Sequence, residues 1–254
     1  MANPRESHSG SAVHDPLAAA RPRLIVALDV PTTTGAAALV DRLEGQCGWF
    51  KVGPELFTAA GPAVLEPILR RGHRVFLDLK FHDIPNTVAG AVRSAASLGA
   101  QMMTVHAAGG PAMLSAARAA LEGIVNPPEL LAVTVLTSMD PAQLSAIGVP
   151  DALGDQVERL TRMALDAGFR GFVCSPQEVA RMRALTGPEG VLVIPGIRPA
   201  GAESGDQKRV ATPTQALRQG ASYLVVGRPI TQAPDPASAA EAILKEMAEA
   251  LSTK

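Results

Sequence analysis

The sequence has only two cysteines, no excess of either charge and no long apolar run, and each absence excludes a class of protein. Cys47 and Cys174 are too few and too isolated for a disulfide framework or a zinc site. We expect them to be small core residues of a protein in the reducing cytoplasm. The net charge of −1 gives no sign of nucleic-acid or membrane binding. No segment reaches the roughly 20 apolar residues that a membrane span needs.

The chain of 254 residues is long enough for one large α/β barrel or for two smaller domains. Its apolar content of 47% is normal for a globular enzyme. The first 22 residues are polar apart from a few alanines and contain no apolar run of signal-peptide length. We therefore expect residues 1–22 to be a disordered tail and residues 23–254 to be the folded part.

One pattern is repeated eight times in the folded part: an apolar strand, a polar or glycine-bearing cluster and a helical stretch. Strands are predicted at 24–29, 49–53, 75–80, 102–106, 131–138, 171–175, 191–196 and 223–228. Their ends lie about 20 to 40 residues apart, which leaves room for one crossover helix each. Apolar strands that alternate with amphipathic helices indicate a parallel sheet covered by helices. Eight units favour a closed (β/α)8 TIM barrel over a doubly wound sheet, and no linker divides it, so we expect a single domain.

The most informative segment is 78–87, Asp-Leu-Lys-Phe-His-Asp-Ile-Pro-Asn-Thr, at the end of the third predicted strand. Because side chains alternate along a strand, Asp78 and Lys80 should share one face. Asp83 follows beyond the strand, where Pro85 favours an extended or turn conformation. Charged side chains at the end of a buried apolar strand cost free energy unless they are paired or serve a function. We interpret them as a functional site rather than as an ordinary ion-pair network.

Other polar residues fall at the same end of their strands, which is where TIM-barrel enzymes carry their active sites. The full set comes from five strands and comprises Asp29, Lys51, Asp78, Lys80, Thr137, Ser138 and Arg228. Their convergence predicts a site for a polar ligand. Gly227 and Arg228 also suggest half of a phosphate-binding site. Glycine lets backbone N–H groups approach an anion closely, and the arginine guanidinium carries hydrogen-bond donors in a fixed arrangement. The long loop after strand seven is either disordered or a mobile lid, from which Arg198 and Gln207 could reach a phosphate.

Taken together, these segments resemble the bacterial type of orotidine 5′-phosphate decarboxylase over nearly the whole predicted barrel. The matching segments are 28–29, 50–53, 78–87, 133–138, 195–199, 206–209 and 226–230. The resemblance implies conversion of orotidine 5′-monophosphate to uridine 5′-monophosphate and CO2, the last step of de novo pyrimidine synthesis. It also implies a homodimer that uses no metal or organic cofactor and has its sites at the subunit interface.

The resemblance further implies a role for each matching residue. Lys80 would protonate C6 as CO2 leaves, and Asp78 would lie against the substrate carboxylate. Lys51 and Asp83 would complete a Lys–Asp–Lys–Asp array, Asp83 coming from the partner subunit. The implied substrate-binding residues are Asp29 and Thr87 at the ribose (Thr87 again from the partner), Thr137 and Ser138 at the pyrimidine, Arg198, Gln207, Gly227 and Arg228 at the phosphate, together with Lys51, Ile84 and Pro195.

Two alternative functions are weighed against this one. Magnesium-dependent barrel decarboxylases and synthases that act on sugar phosphates share an Asp-x-Lys-x-x-Asp motif, but an acidic residue replaces their strand-two lysine. The ammonium group of Lys51 would repel a metal ion there. A barrel that only binds nucleotides would not need the clustered charges around Asp78. We expect His82 and His106 to be structural.

Overall fold

The computed structural model describes residues 15–199 and 209–252. Within these ranges eight parallel strands form one closed barrel, in which each strand pairs with the next along the chain and β8 pairs with β1. The strands are β1 Leu24–Ala27, β2 Trp49–Val52, β3 Arg74–Phe81, β4 Met102–His106, β5 Glu129–Val133, β6 Gly171–Val173, β7 Val191–Ile194 and β8 Tyr223–Val226. The predicted (β/α)8 barrel is confirmed.

Helices follow the strands and cover the outside of the barrel. They are α1 Thr33–Arg42, α2 Pro54–Ala60, α3 Glu66–Arg70, α4 Pro85–Ser97, α5 Gly110–Ala119, α6 Pro141–Ala146, α7 Leu153–Asp166, α8 Val179–Thr186, α9 Pro213–Arg218, α10 Arg228–Thr231 and α11 Pro236–Ser252. In α7, Val157, Leu160 and Ala164 recur at helical spacing and are buried, whereas Arg159 and Arg162 are exposed. None of the helices in the described ranges is long and apolar enough to cross a membrane.

The apolar core has two parts, one on each face of the sheet. The larger part lies between the strands and the helices. The smaller part fills the barrel itself with residues from seven strands: Ile25, Ala27, Trp49, Phe76, Met102, Leu131, Val193 and Val225. Alternation along the strands makes the next inward-facing residue after Trp49 Lys51, and the next after Phe76 Asp78. The charged groups therefore lie directly above an apolar floor inside the barrel.

The packed part of the chain begins earlier than the predicted boundary at residue 23. Leu17 and Ala20 are buried in the larger core. The carbonyl of Arg21 accepts a hydrogen bond of 2.8 Å from Gly48 N, and Pro22 O accepts one of 3.1 Å from Trp49 Nε1. Residues 15–22 are thus held against the foot of β2, and the expectation of a disordered tail is corrected for them.

The fifth strand is shorter than predicted. It ends at Val133, and the next residue, Thr134, donates both its backbone N–H and its hydroxyl to Val173 O, at 3.2 and 3.1 Å. Regular pairing stops after this contact, so Thr137 and Ser138 reach the mouth of the barrel on a loop rather than on a strand.

Candidate active site

The carboxyl ends of the strands open into a cavity of about 470 Å³. Most of the predicted site residues line it: Asp29, Lys51, Asp78, Lys80, Thr137, Ser138, Pro195, Arg198, Gly227 and Arg228. The structure therefore brings together residues that the sequence spreads over 200 positions, from six of the eight strand–loop units. Gln207 lies outside the described residues.

The centre of the cavity is a cluster of two lysines and two aspartates. Lys80 Nζ donates to Asp78 Oδ2 at 2.8 Å, and Lys51 Nζ lies 3.6 Å from the same oxygen. Lys51 Nζ also donates to Asp29 Oδ1 at 2.9 Å. Lys51 and Asp78 are buried, whereas the side chain of Asp29 is 56% exposed at the mouth. These four charged groups thus form a chain of contacts from the rim down to β3.

The charged form of Asp78 is stabilised despite its burial. Burial by itself raises the pKa of this carboxyl, but the charges of Lys51 and Lys80 and the hydrogen bonds from Lys80 and Thr104 outweigh it. The net effect holds the pKa of Asp78 below its ordinary value. The site therefore presents a fixed carboxylate between two ammonium groups at neutral pH.

The strand that carries Asp78 and Lys80 is irregular at this point. Lys80 has a φ of 50°, in the left-handed region that residues other than glycine rarely adopt. The register of β3 with β4 shifts between Leu77 and Phe81. Such a conformation costs on the order of 1–3 kcal/mol and persists only where surrounding contacts impose it. Both side chains keep their place in the cavity, as strand alternation predicts, but on a bulged backbone.

Gly53, directly after β2, leaves room for the ion pair at the rim. A Cβ at this position would lie 3.1 Å from Lys51 Nζ and 3.4 Å from Asp29 Oδ1. Any larger residue would therefore press on the contact between the ammonium and the carboxylate.

Two arginine side chains also line the cavity. Arg198 is buried and follows β7, while Arg228 opens α10 directly after Gly227. Burial and the nearby charge of Arg228 lower the pKa of Arg198. Two guanidinium groups in one cavity make a site that would attract an anion such as a phosphate.

Sequence reasoning missed one residue that lines the cavity and one that contacts its lining. Gln232 lines the cavity four positions after Arg228, so helical spacing from that arginine was the signal that could have found it. Arg209 is buried, forms an ion pair with Glu178 and donates to Leu136 O at 3.0 Å. It ties the chain that returns from the β7 loop to the exits of β5 and β6.

Three predicted residues do not line the cavity of this chain. Asp83, Ile84 and Thr87 are exposed on the turn after β3 and on the first turn of α4, and Ile84 is 67% exposed. Asp83 Oδ1 accepts a hydrogen bond of 2.6 Å from the Ile84 backbone N–H. The single chain therefore does not bring these three residues into its own cavity.

His82 and His106 also lie outside the cavity lining among the described residues. Their ring centroids are 5.3 Å apart. Burial and the neighbouring His82 and Lys80 lower the pKa of His106, which keeps this imidazole neutral at pH 7. The prediction that both histidines are structural stays a prediction.

The fold and the site together define an enzyme of the TIM-barrel class with a cavity suited to an anionic substrate. The family described as "Orotidine 5'-phosphate decarboxylase / HUMPS family" matches residues 22–243. The orotidine 5′-phosphate decarboxylase of Moorella thermoacetica is 54% identical over 234 residues, which cover 90% of this chain and 93% of that protein. The orotidine 5′-phosphate decarboxylase of Saccharophagus degradans is 52% identical over 229 residues, which cover 90% of this chain and 96% of that protein.

A solved structure agrees with these relatives. The crystal structure of orotidine 5′-phosphate decarboxylase from Lactobacillus acidophilus has a TM-score of 0.78 and 40% identity, and the match covers 89% of this chain and 99% of that one. The chain belongs to the orotidine 5′-phosphate decarboxylase / HUMPS family.

Proposed function

We propose that this protein converts orotidine 5′-monophosphate into uridine 5′-monophosphate and CO2, the last step of de novo pyrimidine synthesis. The observation that carries the proposal is a single cavity lined both by the Lys51–Asp78–Lys80 cluster and by Arg198 and Arg228. A nucleoside monophosphate with a carboxylate on its base has negative charge at both ends. The relatives named above support the same reaction.

The chemical problem is the electron pair left on C6. When the bond between C6 and the carboxylate carbon breaks, the pair stays on C6 as a vinyl carbanion with no adjacent carbonyl positioned to accept it. A fixed cation must then stabilise the charge, and Lys80 Nζ is placed for that by its contact with Asp78. The lysine transfers one proton to C6, which completes the product, and regains a proton from solvent before the next turnover.

Asp78 acts on the ground state of the same reaction. Its carboxylate is charged and would face the substrate carboxylate, and this like-charge contact disappears as CO2 leaves. Phosphate binding by Arg198, Arg228 and the Gly227 backbone supplies remote binding energy that holds the substrate against this repulsion. Asp29 and Lys51 would bind the ribose side, and Thr137, Ser138 and Pro195 the pyrimidine side. Gln207 belongs to the phosphate end in this proposal.

A homodimer with shared sites is part of the proposal. Asp83, Ile84 and Thr87 are exposed in the single chain, although the family resemblance gives them roles at the substrate. An exposed isoleucine beside an exposed aspartate is suited to a partner's cavity mouth, since association would bury its apolar surface. Asp83 would then complete the charged array of the neighbouring site.

Reaction without a metal is favoured over the magnesium-dependent alternative by Lys51. Its ammonium lies between Asp29 and Asp78, where a divalent cation would need to bind the carboxylates. A cytoplasmic location is proposed from the two buried free thiols of Cys47 and Cys174, which suit a reducing compartment.

The test is the absorbance change of orotidine 5′-monophosphate incubated with the purified protein in excess chelator, with uridine 5′-monophosphate identified as the product. We expect turnover that chelation does not reduce. Turnover only after addition of magnesium would overturn the metal-free reaction. No conversion by a folded, dimeric protein would overturn the proposed function.

A further inference from the structure

Thr104, in the middle of β4, contacts both of the groups that the proposed reaction depends on. Its side chain is fully buried and faces the barrel interior, two residues after Met102. Its hydroxyl accepts a hydrogen bond of 2.9 Å from the backbone N–H of Lys80. The same hydroxyl donates one of 3.0 Å to Asp78 Oδ1.

The strand register shows why a side chain makes these contacts. Leu77 pairs with Met103 and Phe81 pairs with Val105, so three residues of β3 lie opposite Thr104 alone. The regular ladder of backbone hydrogen bonds is interrupted over this bulge. The N–H of Lys80, turned by a φ of 50°, finds the Thr104 hydroxyl as its acceptor.

The second contact orients the carboxylate of Asp78. Oδ1 is held by the Thr104 hydroxyl, which leaves Oδ2 facing Lys80 Nζ at 2.8 Å and Lys51 Nζ at 3.6 Å. Only a group that donates and accepts at once can hold the backbone of one residue and the side chain of the other. A serine could do the same, whereas valine has the shape of threonine but neither function.

We propose that Thr104 is a positioning residue that fixes the orientation of the bulged backbone at Lys80 relative to the carboxylate plane of Asp78. Thr104 does not line the cavity, so it acts through these two residues rather than on the substrate. This inference rests on the proposed decarboxylation, because it assigns Thr104 to that reaction.

The experiment compares T104V and T104S with the wild-type protein. T104V should lower kcat/KM for orotidine 5′-monophosphate about 100-fold, the size of effect that a misplacement of about 1 Å produces. T104S should keep kcat/KM within a few-fold of wild type, because it retains the hydroxyl. Affinity for uridine 5′-monophosphate, which has no carboxylate on its base, should change little in both variants.

The pH profile adds a readout that a purely structural role would not move. Loss of a donor to Asp78 disfavours its charged form, so the acid limb of kcat/KM should shift to higher pH in T104V. The titration of the substrate itself is common to all variants. T161V is the matched control: Thr161 on α7 is equally buried and bonds Val157 O at 2.7 Å, away from the site. Its kcat/KM should stay within a few-fold of wild type.

Each outcome decides the inference. Wild-type activity in T104V, an equal loss in T104S, or an equal loss in T161V would overturn it. Folding of T104V is checked by circular dichroism and urea unfolding. If T104V does not fold, T104A removes the same hydroxyl, and its kcat/KM is compared with that of wild type in the same way. An inactive wild type would refute the proposed function, whereas an active wild type with an unaffected T104V would refute the positioning role alone.

Discussion

Lys80 and Asp78 are two residues apart in the chain, and their side chains meet at 2.8 Å on the same bulged strand. The contact is made by Oδ2, while Oδ1 is occupied by Thr104. In the proposed reaction, the group that donates the proton and the group that repels the substrate carboxylate are therefore held as one unit. Predictions about either residue must allow for the other.

Substitution of Lys80 should abolish the chemistry and leave the fold intact. In Lys80→Ala the cation and the proton donor are both lost, so we expect kcat/KM to fall by several orders of magnitude. Lys245→Ala is the matched control, since Lys245 lies on the exposed face of α11 in an i,i+4 pair with Glu241. Near-normal turnover in Lys80→Ala, with circular dichroism unchanged, would remove Lys80 from the mechanism.

The stability contribution of Asp78 should depend on pH. Burial opposes its charge, but Lys51, Lys80 and Thr104 lower the pKa of Asp78 overall. A carboxyl with a lowered folded-state pKa stabilises the protein above its unfolded pKa of about 4, and this contribution is lost as the pH falls through the folded value. The free energy of unfolding of the wild type, relative to that of Asp78→Asn, should therefore decrease as the pH falls from about 6 to about 3. Urea unfolding at several pH values measures it, and a difference that stays constant with pH would contradict the assignment.

Loss of Arg228 should weaken transition-state binding through the phosphate. In Arg228→Ala a charge-assisted contact disappears. We expect kcat/KM to fall by an amount that corresponds to about 3 kcal/mol of transition-state stabilisation. The defect should shrink for orotidine, the nucleoside without phosphate, which never used the contact. Arg70→Ala, at an exposed position of α3, is the control for removal of a guanidinium. An equal defect on both substrates would mean that Arg228 is structural.

Mixing two inactive variants should test the shared site. If Asp83 serves the partner's cavity, a Lys80→Ala subunit paired with an Asp83→Ala subunit gives one site with both lesions and one intact site. Random exchange makes about half of the dimers hybrid, so about a quarter of wild-type activity should return. A tag on one variant verifies the exchange. Proven exchange without recovery would mean that Asp83 acts within its own subunit.

The barrel could be predicted because each strand carries its own signal. Apolar runs such as 102–106 match the observed strand, and the alternation from Trp49 to Lys51 already places the lysine inside the barrel. The cavity followed from the same rule, since polar residues at the carboxyl ends of parallel strands must meet.

The bulge in β3 could not be predicted, because no glycine marks the positive φ at Lys80. Its support, Thr104, looks like any β-branched strand residue, and its two contacts are 24 and 26 positions away in the chain. The packing of Leu17 and Ala20 was missed for a similar reason. Their segment is polar and alanine-rich, and its hydrogen-bonding partners, Gly48 and Trp49, lie elsewhere in the sequence.

The apolar floor of the barrel couples side-chain packing to the site above it. Trp49 and Phe76 lie one inward step, about 6.6 Å, below Lys51 and Asp78 on the same strands. A change in side-chain volume on the floor therefore acts on a charged group two residues away along the same strand. Selection for a well-filled interior is at the same time selection on the electrostatics of the site. Substitution of Trp49, which does not line the cavity, is therefore expected to alter turnover.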